Sequence, residues 1–207
     1  AESTIYGRFG FGPAIEGCDI TLERAHARLR DPRPPEGRLR QLIATEAREV
    51  LPAAYPRLCA GIPGSLARGP ADWEIYFHDS EHWRNGASSH RFVVYERGGE
   101  VAGYVVFRQK ENWEGGHARN EVRIGDLQAA DGEAYRALWG FCLDIDLVTT
   151  IKAYARPLRD PVTLLVADAR RVQQVRSDHI WVRLLDVAAA LAARRHAVSG
   201  AVVLEVE

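Results

Sequence analysis

At 207 residues the chain can hold one large domain, or one domain with parts of its neighbours. Its 27 basic residues against 28 acidic ones, and a pI near 6.7, exclude the basic footprint of a nucleic-acid binder. An apolar share of 46% is enough for a real core, yet no apolar run approaches the roughly 20 residues of a membrane span.

The chain does not begin with Met, and residues 1–6 read as the end of a helix that started upstream. The expectation is therefore an internal piece of a longer protein. Gly7, Gly10 and Gly12 break that helix, and residues 13–22 read as a strand anchored by Ile15 and Leu22. Residues 29–37 carry three prolines, a glycine and four charges, the composition of a linker between domains. Leu39 and Gln41–Ile43 form a short strand. Thr45 is the expected N-cap of a helix toward Cys59, with Pro52 and Pro56 implying a kink or a broken helix. Ile62-Pro63-Gly64 ends it, and a second helix over residues 71–77 brings Trp73 to the core.

Phe92–Arg97 and Glu100–Arg108 are strands around Gly98-Gly99, the composition of a two-residue hairpin, and Glu121–Leu127 is a third. Ala134, Leu138, Phe141, Cys142 and Ile145 share one face of a helix over 131–145, with Asp131 as its cap. Leu147–Tyr154 returns as a strand, and Asp160-Pro161 opens a short helix to about Val166. Ile180, Val182 and Leu184 alternate on a strand. A short Ala-rich helix covers Val187–Arg194, and a last strand covers Ala201–Val206.

Few residues point to chemistry by themselves. Cys18, Cys59 and Cys142 are far apart and odd in number, which argues against a disulfide framework and for a reducing, cytoplasmic compartment. Cys142, on the apolar face of its helix, reads as an inert core residue. His78 and His82 lie four apart, but Asp79-Ser80 and Asn85-Gly86 make that segment a loop without a convincing third ligand, so no metal is expected. Gly98-Gly99 and Gly115-Gly116 are turns rather than phosphate loops. Tyr6, in Tyr-x-x-x-Gly-Phe, reads by spacing as a core or helix-end tyrosine. A phenol near pKa 10 could also protonate a departing thiolate whose acid is near 8.5, a transfer uphill by roughly 2 kcal/mol. Asp178, at a strand entrance beside Trp181, reads by spacing as a strand start and could alternatively hold a cationic amine.

Two segments change that balance. Ile-Tyr-Gly-Arg-Phe-Gly-Phe-Gly at 5–12 and Asp-His-Ile-Trp-Val-Arg-Leu-Leu-Asp-Val-Ala-Ala-Ala-Leu-Ala-Ala-Arg at 178–194 closely resemble the enhanced intracellular survival family of bacterial N-acetyltransferases. Ile62-Pro63-Gly64 with Arg68 and Trp73, Ala134–Trp139, and Asp160-Pro161 fall between them in the order that family shows.

The resemblance implies an α+β fold: a GCN5-related mixed sheet flanked by helices, with the start of a sterol-carrier-like domain. Residues 1–28 would be the tail of a first acetyltransferase domain and 29–37 a linker. Residues 38–175 would be a second, degenerate copy, and 176–207 the beginning of the sterol-carrier-like part. It implies acetyl-CoA as co-substrate, Tyr6 as general acid, and Asp178 as a substrate-binding carboxylate. The acceptors would be amines of aminoglycoside-like polycations or lysine side chains. It further implies a homo-oligomer, a hexamer by analogy, with no nucleic-acid or membrane partner. The family's coenzyme loop and its general base, a C-terminal carboxylate, have no counterpart in this sequence. The piece by itself is then expected to be inactive, and the alternative is a non-catalytic scaffold or oligomerisation module.

Overall fold

A computed structural model describes residues 3–195, 197–198, 200–201 and 203. In chain order it contains α1 (Ser3–Arg8), β1 (Gly12–Glu23), β2 (Arg38–Leu42), α2 (Ala44–Leu58), α3 (Pro70–Phe77), β3 (Arg91–Arg97) and β4 (Glu100–Lys110). There follow β5 (Trp113–Glu114), β6 (His117–Ala118), β7 (Asn120–Ala129), α4 (Gly132–Asp144), β8 (Val148–Pro157), α5 (Val162–Leu165), β9 (Gln173–Val182) and α6 (Val187–Ala192). The strand expected over Ala201–Val206 lies largely outside the described residues. The chain divides into two compact units, a larger one of Glu16–Ser177 and a smaller one drawn from residues 1–15 and 178–207. No helix among the described residues is long and apolar enough to cross a membrane.

The larger unit is built on a mixed sheet in the order β2-β3-β4-β7-β8-β1-β9. β2, β3, β4 and β7 are antiparallel neighbours, whereas β7 and β8 run parallel. Between β3 and β4, Gly98 and Gly99 both take positive φ (61° and 83°), which a tight right-twisted hairpin requires and which only glycine adopts freely. The parallel connection from β7 to β8 passes through α4, as a crossover must.

Both faces of the sheet are covered, so β3 and β4 bury apolar residues on both faces. Along β3, Val93 and Tyr95 join the core beneath α4, while Phe92 and Val94 join the core beneath α2 and α3. β4 divides the same way, Val105 and Phe107 against Tyr104 and Val106. From β1, Cys18, Ile20 and Leu22 enter the α4-side core, and Gly17–Glu23 pair antiparallel with β8. Cys18, Cys59 and Cys142 are all buried and unpaired, and burial pushes each thiol up from its ordinary value.

Three expectations change in detail. Thr45 does not cap α2: Ile43 is extended and its carbonyl accepts the Ala47 N–H, so Thr45 lies inside the first turn. Pro52 and Pro56 sit within α2, which runs unbroken over 15 residues. The proline-rich segment 29–37 lies inside the larger unit rather than between units. It is tied down by Arg30 N–H to the Leu165 carbonyl (2.8 Å), Glu36 N–H to Glu133 (3.0 Å) and Gly37 N–H to the Tyr95 hydroxyl (2.7 Å).

Beneath α2 and α3 sits a charged cluster. The Arg68 guanidinium lies 4.2 Å from the Tyr55 ring centroid, 4.8 Å from Tyr76 and 5.0 Å from Trp73. It donates to Asp126 at 2.9 Å. The same carboxylate accepts from Tyr104 (2.9 Å), Tyr76 (3.2 Å) and Gln128 (2.9 Å). Burial favours loss of the Arg68 proton, but the Asp126 charge overrides it and holds the guanidinium ionised. A fully buried pair, Arg156 with Asp160 (2.9 Å), anchors the end of β8, and Asp160 also accepts from Tyr135 and the Val162 N–H.

Asp79, in the loop after α3, ties that loop to β4. It accepts from Arg84 (3.0 Å) and the His90 N–H (2.9 Å) and pairs with Arg108 (2.7 Å). Burial would raise its pKa, but these donors outweigh burial and hold it at about 2, against 3.8 ordinarily.

Two measurements check these anchors. Asp126→Ala leaves the partly buried Arg68 without its counter-ion and should cost about 1–3 kcal/mol of unfolding free energy in urea. The Asp79 contribution is complete above its ordinary pKa and drains away as pH falls through about 2. The stability gap between wild type and Asp79→Asn should therefore be constant above pH ~5 and shrink as pH falls from ~4 towards ~2.

Candidate functional site

Tyr6 and Asp178 are distant in sequence but both belong to the smaller unit. α1 carries Tyr6 in its last turns and stops abruptly. The Tyr6 carbonyl accepts from the Phe9 N–H (3.0 Å) and the Phe11 N–H (3.2 Å), while Gly10 takes φ +74°. This reversal brings the Phe11 ring edge-on to the Tyr6 ring, with centroids 6.0 Å apart.

The other neighbour of Tyr6 is Trp181 on β9. The two rings are nearly parallel, 5.4 Å between centroids at 20°. The Trp181 indole N–H in turn donates to the Asp178 carboxylate at 2.5 Å. That donation is the main cause holding the Asp178 carboxyl below its ordinary pKa. Phenol, indole and carboxylate thus form one chain of contacts. Tyr6 is 37% exposed rather than sealed among aliphatic side chains, and its hydroxyl has no hydrogen-bond partner among the described residues.

The pair expected from sequence is therefore brought together, and Trp181 is the residue that sequence reasoning undervalued. It is half-buried and bridges the two candidates. Residues i and i+3 of an ideal strand point to opposite faces, so the Asp178–Trp181 spacing gave no signal of contact.

The larger unit presents a different helix end. The N-terminus of α4 follows β7, and the free N–H groups of such a terminus suit a phosphate. Here Asp131 already accepts the Ala134 N–H at 2.9 Å. Arg97 pairs with both Asp131 and Glu133, and Glu133 also accepts from the Tyr95 hydroxyl at 2.5 Å. Two carboxylates at the helix start oppose a pyrophosphate there.

His78 and His82 do not share a helix face. His78 follows the end of α3, His82 lies in a 3-10 turn, and both meet the Trp83 ring edge-on at 5.3 and 5.1 Å between centroids. No group of three metal-ligating side chains occurs among the described residues.

The chain resembles known proteins over its whole length. The family described as Acetyltransferase (GNAT) domain matches residues 64–198. An uncharacterized N-acetyltransferase of Streptomyces avermitilis is 40% identical over 208 residues, covering 100% of this chain and 51% of that protein. The N-acetyltransferase Eis of Mycobacterium tuberculosis is 29% identical over 202 residues, 95% of this chain and 48% of that protein. The crystal structure of Eis1 from Mycobacterium abscessus superposes with a TM-score of 0.74 at 34% identity, covering 94% of this chain and 47% of that one. The chain spans about half the length of the curated relatives it matches. The parallel β7–β8 pair joined through α4, the flanking helices and these likenesses agree: the chain belongs to the GNAT acetyltransferase family.

Proposed function

We propose that the chain is part of an acetyl-CoA-dependent amine N-acetyltransferase in which Tyr6 protonates the departing coenzyme A thiolate. The observation that carries this reading is the Tyr6–Trp181–Asp178 chain of contacts. An accessible phenol is stacked on an indole whose N–H fixes a carboxylate. In the proposed step the bound amine attacks the thioester carbonyl, and a base outside this chain removes the ammonium proton. The C–S bond then breaks as Tyr6 delivers its proton to sulfur. Asp178, kept ionised, and the indole face beside it suit a cationic amine. Aminoglycoside-like polycations and lysine side chains both meet that requirement. Residues 176–207 would open a sterol-carrier-like part, and the whole protein would be a cytoplasmic homo-oligomer, as its resemblance implies.

For the larger unit by itself, a non-catalytic scaffold is the better description. The Asp131 and Glu133 carboxylates at the α4 N-terminus favour it, because they occupy the place a phosphate would need.

Three experiments on the full-length protein test these readings. Tyr6→Phe should lower kcat by about 10²-fold or more with unchanged folding, and an unchanged rate would remove Tyr6 from the mechanism. Trp181→Phe keeps a ring against Tyr6 but loses the N–H donor, so it should raise KM for the amine while largely sparing kcat. Calorimetric titration should find one acetyl-CoA per chain. Two per chain would mean that the larger unit binds coenzyme despite its acidic helix start.

A further inference from the structure

A cleft of about 360 Å³ opens in the larger unit, away from the α4 N-terminus, and is lined by residues of the loop after α3 and of β4, β7 and β8. Gly125 is among its lining residues, just past the point where the parallel β7–β8 ladder ends at Ile124 and Ala153. A Cβ built at Gly125 would meet only the Val106 carbonyl oxygen, at 4.0 Å, so the missing side chain leaves open space.

The walls are cationic. Arg84 and Arg108 share the Asp79 carboxylate, and Arg123 shares Glu121 with Lys152 at 3.0 Å each. Four cations thus divide two carboxylates, and positive charge remains in excess around the cavity. His90 also faces it. Its ring is fixed against Tyr76 at 6.5 Å between centroids, and its Nδ1 is buried with no hydrogen-bond partner. A buried, unpaired ring nitrogen is costly unless a ligand or water completes it. Burial, then the charge of Arg108, push the His90 pKa down, so the ring is neutral near pH 7 and can offer an N–H.

Flat apolar surface lies beside these donors. Trp83 is 57% exposed, and Tyr154 is 38% exposed. The backbone at the rim is strained: Asn85 and Ala155 take φ of +49° and +52°. Such conformations cost about 1 kcal/mol or more in non-glycine residues and concentrate at binding sites. At Ala155 the strain belongs to the irregularity where β8 departs from its pairing with β1, held by the Ala155 N–H to Asp19 (3.0 Å).

We propose that this cleft binds a small anion carried on a flat ring, an aryl phosphate or aryl carboxylate, with Arg84, Arg108, Arg123 and His90 around the anion and Trp83 and Tyr154 against the ring. A cationic amine is disfavoured there by the surplus positive charge, so the ligand class is opposite to the one proposed for Asp178.

The test uses phenyl phosphate and benzoate as probes, with inorganic phosphate, benzyl alcohol and benzylamine as controls, followed by calorimetry and by Trp fluorescence at low salt. Phenyl phosphate or benzoate should bind, and the stronger of the two identifies the anion. Inorganic phosphate and benzyl alcohol should each bind at least about tenfold more weakly, and benzylamine not at all. Gly125→Val fills the open space beside that lining glycine without backbone strain, and Trp83→Ala removes an exposed ring. Each should weaken binding at least about tenfold while leaving the melting temperature within about 2 °C. Failure of both aryl anions to bind, or binding that neither variant changes, would overturn the proposal. Equal binding of inorganic phosphate would overturn its aromatic half.

Discussion

The ion pair between Arg68 and Asp126 is the constraint on which one whole side of the larger unit depends. A guanidinium leaves water only where its charge is matched and its faces are covered. Here the match comes from β7, and the cover comes from Tyr55 of α2 with Trp73 and Tyr76 of α3. Tyr104 of β4 donates to the same carboxylate. Two helices, two strands and a loop are therefore fixed by one salt link. Removing one member of the pair leaves the other without its counter-charge in a partly buried site, which costs more than trimming a single ring contact around it. Its reach extends to the aryl-anion cleft, since the Tyr76 ring that faces Arg68 also lies against His90.

The proposed division of labour follows from two helix ends. α1 ends in a glycine reversal that leaves a phenol accessible beside an indole. α4 begins with two carboxylates clamped by an arginine. The first arrangement suits proton delivery. The second satisfies the helix dipole internally and leaves it little to offer a phosphate. One fold can thus be kept for its sheet and packing while the helix terminus that could serve a phosphate is given over to self-capping.

Much of the fold was legible where one local rule acts alone. Paired glycines between two apolar runs specify the β3–β4 turn, and the spacing of Ala134, Leu138 and Cys142 specifies α4, with Asp131 as its cap. Legibility failed where tertiary contacts overrule local ones. Pro52 and Pro56 remain inside α2, whose buried face carries Ala47, Leu51 and Leu58 against the sheet. The prolines of 29–37 suggested a free linker because composition cannot show that Glu133 and Tyr95, far along the chain, bind that backbone. The candidate site was legible only in its outer members. Tyr6 and Asp178 stood out by resemblance, but the residue joining them did not. The arginines of the cleft are scattered over three elements with no common spacing, so only the folded chain assembles them.

The three sequestered thiols carry a consequence of their own. Cys59 lies under α2 and α3, whereas Cys18 and Cys142 lie on the α4 side of the sheet. Each is shielded and held protonated, so none is an effective nucleophile while its layer is closed. The molecule therefore carries a built-in alkylation clock for each face: a maleimide gains access to one sulfur when the first layer breathes and to two when the second does, with no engineered label required.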